Sequence, residues 1–380
     1  MPAGTVLIVH PSADLYGSDL QLLESVHGLV AAGWTVVVTL PQDGPLAERL
    51  AGAGATLELL PVPVLRKALL SPVGLVRLAG ASARALPSML RLLRRVAPDV
   101  VYVNTVTVPL WTVVARLTRR PALAHVHEAE DDVPRLVAFL LNAPLLFASA
   151  IVVNSRAARG TLLRAVPALG HRTQVVHNGL AGPPPEPLPG PVGGPGPRRV
   201  ALVGRLSPRK GTDVALEAIA LLRSEGRDVA LDVYGSVFPG YEWFEEELRS
   251  RSAEADLARA VFFAGYTSPT WPALARAEVV LVPSRAEPFG NTAVEAQLAG
   301  RPVIASAVQG LQEIVTDGET GILVPPDDPV ALAAAVARVL DDPALAHRLA
   351  TAGQDSARRN FSLDRYRSAI SAAVARTAGH

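Results

Sequence analysis

Two glutamates with seven residues between them define the most informative segment, which runs from Glu287 to Glu295. It follows an apolar run that ends at Val282 and contains Gly290 before residues 292–299, which favour a helix. The first N–H groups of a helix have no partner within it and attract anions, and carboxylates accept hydrogen bonds from hydroxyls. The spacing predicts a phosphate site flanked by two carboxylates. Taken singly, each glutamate is better explained as an ordinary exposed charge.

A basic segment, Gly204 to Gly211, follows the first apolar run of the C-terminal half. Gly204 permits a sharp exit from a strand, and Arg205 and Lys210 supply two cations next to a sheet edge where ligands bind. Arginine grips phosphate oxygens through paired N–H donors and lysine acts as a point charge, so the segment predicts a diphosphate contact. A solvated basic turn is the alternative interpretation.

Short runs rich in Val, Ile and Leu alternate with helical stretches, a pattern typical of parallel strands buried on both faces. The runs are 6–9, 35–40, 56–60, 100–103, 123–126, 151–153 and 174–176 in the first half, and 199–203, 229–234, 261–263, 279–282, 302–305 and 321–324 in the second. The predicted fold class is α/β, with two Rossmann-like, doubly wound sheets. Because ligands bind at the carboxyl ends of such strands, we expect the two domains to face each other across a cleft that holds the site.

A Pro- and Gly-rich linker over 182–197 separates the two predicted domains, because it can form neither a helix nor a central strand. The N-terminal domain covers 1–181 and the C-terminal domain 198–360. Residues 361–380 contain a last helix with one apolar face, and one interpretation returns it to the N-terminal domain. A length of 380 residues agrees with two hydrophobic cores.

Composition limits the function classes. The chain is 49% apolar and 19% charged with a net charge of +1, which indicates a globular protein without a general attraction to nucleic acid. It contains no cysteine, which excludes disulfides and thiolate metal sites and suits a cytoplasmic protein. The apolar run 6–9 is too short for a signal peptide, and the apolar stretch 136–153 is interrupted by polar residues and proline. We therefore expect a cytoplasmic protein without a transmembrane span.

The Glu287 and Gly204 segments together resemble glycosyltransferase family 4, a retaining family with the GT-B architecture. The resemblance rests on Gly204-Arg205, Lys210-Gly211 and the Glu287–Glu295 spacing, followed by residues 299–305. Further similarity at 176–179, 234–235, 263–265 and 317–321 extends it over almost the whole chain.

The resemblance implies a role for each matching residue. Arg205 and Lys210 contact the donor diphosphate, and Glu287 binds hydroxyls of the transferred sugar. Glu295 holds the ribose, and His127 lies beside the reacting sugar. The other implied donor-binding residues are Gly17, Ser18, Gly204, Gly235, Tyr266, Phe289, Gly290, Asn291 and Thr292.

The reaction implied by the resemblance is sugar transfer from a nucleotide sugar to an acceptor hydroxyl with retention, which gives an α linkage. UDP is the default nucleotide and GDP the alternative. The N-terminal domain would bind the acceptor, which is a lipid carrier, a polysaccharide or a natural product, and no cofactor or metal is expected. The alternatives are a nucleotide-sugar-binding GT-B protein without transfer activity, and a GT-B epimerase or phosphorylase.

Three features of the first half allow two interpretations each. The family commonly has two glycines where this chain has Gly17 alone, followed by Ser18, which leaves the geometry of that loop open. His127 follows a predicted strand, where a histidine is also commonly structural. Asn154 and Ser155 either face the site or cap a helix.

The region 66–95 is basic without an acidic residue. Arg91, Arg94 and Arg95 lie opposite an apolar helical face that includes Met89, Leu92 and Leu93, as in a helix that binds an anionic membrane. Peripheral contact with the inner membrane face is one interpretation. An ordinary domain helix with a solvated basic side is the other.

Overall fold

The protein folds into two compact units. The computed structural model describes residues 3–65, 72–129, 133–184, 196–238 and 240–379, without the side chains of Pro72 and Leu75. The first unit comprises Met1–Gly179 together with Leu363–His380, and the second comprises Leu180–Ser362. Most of the linker predicted over 182–197 falls outside the described residues, which omit 185–195.

A parallel sheet of seven strands forms the centre of the described part of the first unit. The strands are β1 (Gly4–Val9), β2 (Trp34–Leu40), β3 (Thr56–Leu59), β4 (Val100–Val103), β5 (Ala122–Val126), β6 (Ala150–Val153) and β7 (Thr173–Val175). Their order is β3-β2-β1-β4-β5-β6-β7, so the direction of winding reverses between β1 and β4. Val6 and Ile8 pack into one core and Leu7 and Val9 into another, which explains why the runs are apolar throughout.

Helices cover both faces of this sheet. They are α1 (Gly17–Ala31), α2 (Pro45–Gly52), α3 (Pro72–Val96), α4 (Leu110–Leu117), α5 (Arg135–Asn142) and α6 (Arg156–Ala165). Two 3-10 helices, Ala143–Phe147 and Pro167–Arg172, lead into β6 and β7.

The described part of the second unit repeats the plan with six parallel strands. They are β8 (Arg198–Val203), β9 (Val229–Tyr234), β10 (Val261–Gly265), β11 (Val279–Val282), β12 (Val303–Ser306) and β13 (Ile322–Val324). The helices are α7 (Thr212–Ser224), α8 (Glu242–Ser252), α9 (Trp271–Arg276), α10 (Asn291–Leu298), α11 (Leu311–Ile314), α12 (Pro329–Asp341) and α13 (Pro343–Asn360). The order β10-β9-β8-β11-β12-β13 reverses between β8 and β11.

The predicted α/β class with two doubly wound sheets is confirmed. Every apolar run named from the sequence is a strand, with ends that agree within two residues. Burial on both faces of a sheet leaves an unbroken apolar signature, so the strands are easy to recognise.

The last helix, α14 (Leu363–Ala378), packs in the core of the first unit. Ile370 and Val374 are fully buried there. The hydroxyl of Tyr366 lies 2.6 Å from that of Ser25 on α1, and Arg367 pairs with Glu24 on the same helix. The C-terminal residues therefore complete a core that the N-terminal residues begin.

The apolar side of α3 faces a core and not a lipid surface, so only the basic side of the helix remains for the predicted membrane contact. Met89, Leu92 and Leu93, which were assigned to a lipid-facing side, are buried in the core of the first unit. Arg95 pairs with Glu58 at 2.7 Å. The described part of this region is thus a helix that packs on the first unit; Arg66 and Lys67 lie outside the described residues. Among the residues described, no helix is long and apolar enough to cross a membrane.

We predict that Ile370→Ala lowers the free energy of unfolding of the first unit by about 2–5 kcal/mol, because truncation of a buried aliphatic side chain leaves a cavity. Urea denaturation followed by circular dichroism measures this loss. Ser368→Ala, at an exposed position of the same helix, is the matched control. Equal effects of the two substitutions would contradict the docking of α14.

Candidate active site

The two strands at the reversal point of the second sheet, β8 and β11, each lead into a loop with candidate residues. Gly204 and Arg205 follow β8, and the segment that contains Glu287 follows β11. Because β8 and β11 are adjacent and parallel, the loops emerge side by side at the carboxyl edge of the sheet. Ligands of open α/β sheets bind at this position.

Glu287 is buried, with 8% of its surface exposed, and three neighbouring side chains hold it. Its Oε2 accepts hydrogen bonds from Lys210 Nζ at 2.5 Å and from the Ser284 hydroxyl at 3.3 Å, while its backbone N–H donates to the Gln309 side chain at 2.8 Å. Burial acts to raise the pKa of Glu287, but the charges of Lys210 and Arg209 outweigh it and the pKa is lowered. The side chain is therefore a fixed, ionised acceptor.

Lys210 ends a short 3-10 helix, Pro208–Lys210, between β8 and α7. Arg285, from the β11 loop, holds this turn in place. Its backbone N–H donates to the carbonyl oxygen of Arg209 at 2.8 Å, and its guanidinium pairs with Asp213 at 2.6 Å. The loops after β8 and β11 are thus bound to each other, which fixes the distance between Lys210 and Glu287.

Helix α10 begins at the same edge of the sheet. Gly290 is its N-cap residue, and Asn291 and Thr292 form its first turn, where backbone N–H groups are not used by the helix itself. The Thr292 hydroxyl donates to the carbonyl oxygen of Val203 at 3.3 Å, which ties the helix to the end of β8. Phe289, just before the N-cap residue, is buried in a core of the second unit. The arrangement suits a phosphate group.

Glu295 lies on α10 in a different environment. The Thr270 hydroxyl donates to its carboxylate at 3.1 Å. Burial raises the pKa of Glu295 to about 7, although this hydrogen bond and the charge of Lys210 act in the opposite direction. The two glutamates of the motif therefore differ, since Glu287 is ionised and Glu295 exchanges a proton near neutral pH.

Three further predicted residues lie on loops at the carboxyl edge. A side chain at Gly235, after β9, would overlap the carbonyl oxygen of Gly204, so glycine is required where these backbones meet. The Arg205 guanidinium lies over the Phe238 ring, 4.7 Å from its centroid. Tyr266, after β10, is 57% exposed and available for stacking. Among the predicted catalytic residues of this unit, Lys210 and Glu287 form the contact described above.

The remaining predicted residues, Gly17, Ser18 and His127, belong to the first unit. Gly17 and Ser18 form the start of α1, after the N-cap residue Tyr16. The backbone N–H of Tyr16 donates to Asp19 Oδ2 at 2.8 Å, which orders the turn between β1 and α1. Helix α1 therefore begins directly after this turn, at Gly17.

The two histidines near the end of β5 differ in depth, because the strand ends at Val126. His125 is fully buried and its Nδ1 lies 2.6 Å from the Tyr102 hydroxyl, so it is a structural residue. His127 lies beyond the strand and is partly exposed. Burial, with a contribution from His10, lowers the pKa of His127 to about 3, although Asp19 opposes the shift. His127 is therefore neutral at physiological pH.

Sequence reasoning missed three residues that connect to His127, namely His10, Asp19 and Asn104. His10 lies 2.7 Å from Asp19 and 3.1 Å from Asn104, which in turn lies 3.1 Å from His127. His10 and Asn104 directly follow β1 and β4, the strands at the reversal point of the first sheet. Polar residues just after two such strands are the signal that could have identified them.

The structure distinguishes between the two interpretations of Asn154 and Ser155, which were to face the site or to cap a helix. Ser155 is the N-cap of α6, since its hydroxyl accepts from the backbone N–H of Ala158 at 2.9 Å, while the Asn154 amide donates to the carbonyl oxygen of His127 at 3.3 Å. Within the described ranges, no group of three or more His, Asp or Glu side chains is placed to hold a metal ion.

Two family models match the chain. The first, described as Glycosyltransferase Family 4, matches residues 17–182, and the second, described as Glycosyl transferases group 1, matches residues 194–356. The chain belongs to glycosyltransferase family 4. The first match covers most of the first unit, and the second match covers most of the second unit.

Curated relatives align over part of the family 4 chain. The glycogen synthase of Mycobacterium tuberculosis is 37% identical over 168 residues, which are 44% of this chain and 39% of the relative. The D-inositol 3-phosphate glycosyltransferase of Salinispora tropica is 41% identical over 172 residues, which are 44% of this chain and 36% of the relative. The chain thus spans less than half the length of these relatives.

Solved structures match over nearly the full length. The Anabaena HepE protein in complex with UDP and glucose matches with a TM-score of 0.81 at 22% identity. The match covers 99% of each chain. The sucrose-phosphate synthase of Thermosynechococcus elongatus has a TM-score of 0.76 at 23% identity, with 97% of each chain covered. At these identities the likeness establishes the fold, which is GT-B.

We predict that Glu295 makes stability depend on pH. Because its folded-state pKa is raised from 4.5 to about 7, the folded protein keeps a proton that the unfolded chain releases, so stability falls as pH rises through this window. Glu295→Gln lacks this loss, and its free energy of unfolding should improve relative to the wild type between about pH 5 and pH 8. Urea denaturation at each pH measures the difference.

Glu246→Gln, at an exposed position on α8, is the control for removal of a surface carboxylate. The same pH trend in both variants would contradict the assignment to Glu295.

Proposed function

We propose that the protein is a retaining glycosyltransferase that moves a sugar from a UDP-sugar to an acceptor hydroxyl, with an α linkage and without a metal ion. The observation that carries this proposal is the contact between Lys210 Nζ and Glu287 Oε2 at the reversal point of the second sheet. It joins a cation suited to a diphosphate to a carboxylate suited to sugar hydroxyls. These are the two chemical parts of a nucleotide sugar.

The donor would be held group by group. Glu287 accepts hydrogen bonds from hydroxyls of the transferred sugar, and its lowered pKa keeps it ionised for this purpose. Lys210 and Arg205 neutralise the diphosphate, whose oxygens also meet the first N–H groups of α10. Glu295 binds the ribose, where a carboxyl group that gains or loses a proton near pH 7 can both donate and accept.

In the proposed reaction, the bond between the sugar C1 and the diphosphate oxygen breaks as the acceptor oxygen attacks C1 on the same face. The acceptor proton passes to the departing phosphate, so no protein base is required. Lys210 and Arg205 stabilise the negative charge that grows on the leaving group, a role that a metal ion takes in other transferases. His127, neutral at physiological pH, contributes a hydrogen bond to the sugar.

The names of similar proteins support parts of this proposal. The complex of Anabaena HepE with UDP and glucose supports UDP as the nucleotide. The relatives named glycogen synthase and D-inositol 3-phosphate glycosyltransferase are named for different products, so they support sugar transfer without specifying an acceptor.

We predict that Glu287→Gln lowers kcat/KM for sugar transfer at least about hundredfold, because it removes an ionised acceptor and leaves Lys210 without its counter-charge in the free enzyme. Release of UDP from UDP-sugars, with a panel of acceptors, measures turnover. Glu319→Gln, at an exposed position of the same unit, is the control. Full activity of Glu287→Gln would contradict the site.

Thermal denaturation with UDP and GDP tests the donor. UDP should raise the melting temperature of the wild type more than GDP, because a ligand of the folded state stabilises it, and Lys210→Ala should abolish the shift. Transfer that persists in excess EDTA supports metal independence, and loss of transfer contradicts it. Binding without transfer would favour a nucleotide-sugar-binding protein, and formation of an epimer or a sugar phosphate would favour the other GT-B chemistries.

A further inference from the structure

A chain of hydrogen bonds runs through the first unit from Asp19 to His127. Asp19 Oδ1 lies 2.7 Å from His10 Nε2, and His10 Nδ1 lies 3.1 Å from Asn104 Nδ2. Asn104 Oδ1 lies 3.1 Å from His127 Nε2. Asp19, His10 and Asn104 are each at most 2% exposed, so the protein itself determines how these groups pair.

The direction of each hydrogen bond follows from the carboxylate at the end of the chain. An ionised Asp19 can only accept, so His10 Nε2 carries a proton and donates it. His10 Nδ1 is then the acceptor for the Asn104 amide N–H, and the other end of that amide is an oxygen. Because an oxygen faces His127, the proton of this neutral ring belongs on Nε2 and the lone pair on Nδ1.

We propose that Asp19, His10 and Asn104 are positioning residues that hold His127 in the tautomer protonated on Nε2, so that Nδ1 accepts a hydrogen bond from a sugar hydroxyl. This inference rests on the proposed function for its substrate. The tautomer itself is a property of the protein without a ligand. The lowered pKa of His127 agrees with it, because only a neutral ring has a lone pair to offer.

If Asp19, His10 and Asn104 had only a structural role, they would need hydrogen-bond partners, but it would not matter which atom donates in each hydrogen bond. Asp19→Asn separates the two possibilities. Asp19 Oδ2 also accepts from the backbone N–H of Tyr16 at 2.8 Å, so the oxygen of the new amide should remain there and its NH2 should face His10. His10 then carries its proton on Nδ1 and the amide of Asn104 turns over. His127 should therefore change to the tautomer protonated on Nδ1.

The first test is long-range ¹H–¹⁵N NMR of the ligand-free protein labelled with ¹⁵N-histidine, with the His127 signals assigned by their loss in His127→Gln. In the wild type, His127 should show a protonated Nε2 and an unprotonated Nδ1. The reverse pattern, or an equal mixture, would overturn the proposal without any substituted chain.

Asp19→Asn should reverse the pattern at His127 or reduce the wild-type preference. Ser25→Ala is the matched control, because Ser25 is buried on the same helix and pairs with Tyr102 and Tyr366 outside this hydrogen-bond chain. It should leave the His127 tautomer unchanged. A folded Asp19→Asn protein that keeps the wild-type tautomer at His127 would contradict the inference.

Activity gives the second test. Asp19→Asn should lower kcat/KM about tenfold, the loss expected for one hydrogen bond to the substrate. Among donor and acceptor analogues that each lack one hydroxyl, one should be transferred equally well by the variant and the wild type, because the contacted group is absent. A deficit that stays the same with every analogue would contradict the hydroxyl contact. Absence of transfer by the wild type with every donor would instead contradict the proposed function, while the NMR result would still decide the tautomer.

Discussion

Parallel pairing of strands that are buried on both faces is the constraint on which the other features depend. Helices must cover both faces of such a sheet, and all the carboxyl ends of its strands must lie along one edge. At the reversal point of each sheet, the connections that follow the two neighbouring strands lead to opposite faces of the sheet and leave room for polar groups between them. Lys210 and Glu287 meet there in the second unit, and His10 and Asn104 meet there in the first. The core therefore determines where chemistry is possible, although its own side chains are apolar.

Local charge decides what each group at that edge can do. Glu287 and Glu295 are the same residue type in one short segment, and burial acts to raise the pKa of both. The ammonium group of Lys210 contacts Glu287 directly, whereas the hydrogen-bond partner of Glu295 is the Thr270 hydroxyl. One carboxylate is consequently a permanent acceptor and the other a group that can also donate.

The sequence predicted most of the architecture because its signals are local. Apolar runs mark the strands, and the spacing of Glu287 and Glu295 with Gly290 between them marks a turn into a helix. The hydrogen-bond partner of a side chain could not be predicted in this way, because it depends on which strands become neighbours in the sheet. The contact between His10 and Asn104 joins residues 94 positions apart and requires β1 to lie beside β4. The same limit applies to α3, whose apolar face could be assigned to lipid from the sequence because the core around Met89 depends on distant strands.

The place of α14 in the first unit has a consequence for synthesis on the ribosome. The hydroxyl pair of Ser25 and Tyr366 joins residues 341 positions apart, and the whole second unit is translated between them. The helices and strands before Gly179 emerge first, but the surface that receives Ile370 and Val374 stays uncovered until α14 has been synthesised. The second unit has its own cores and can fold without waiting for that event. The nascent protein thus completes its domains in the reverse of the order in which it begins them.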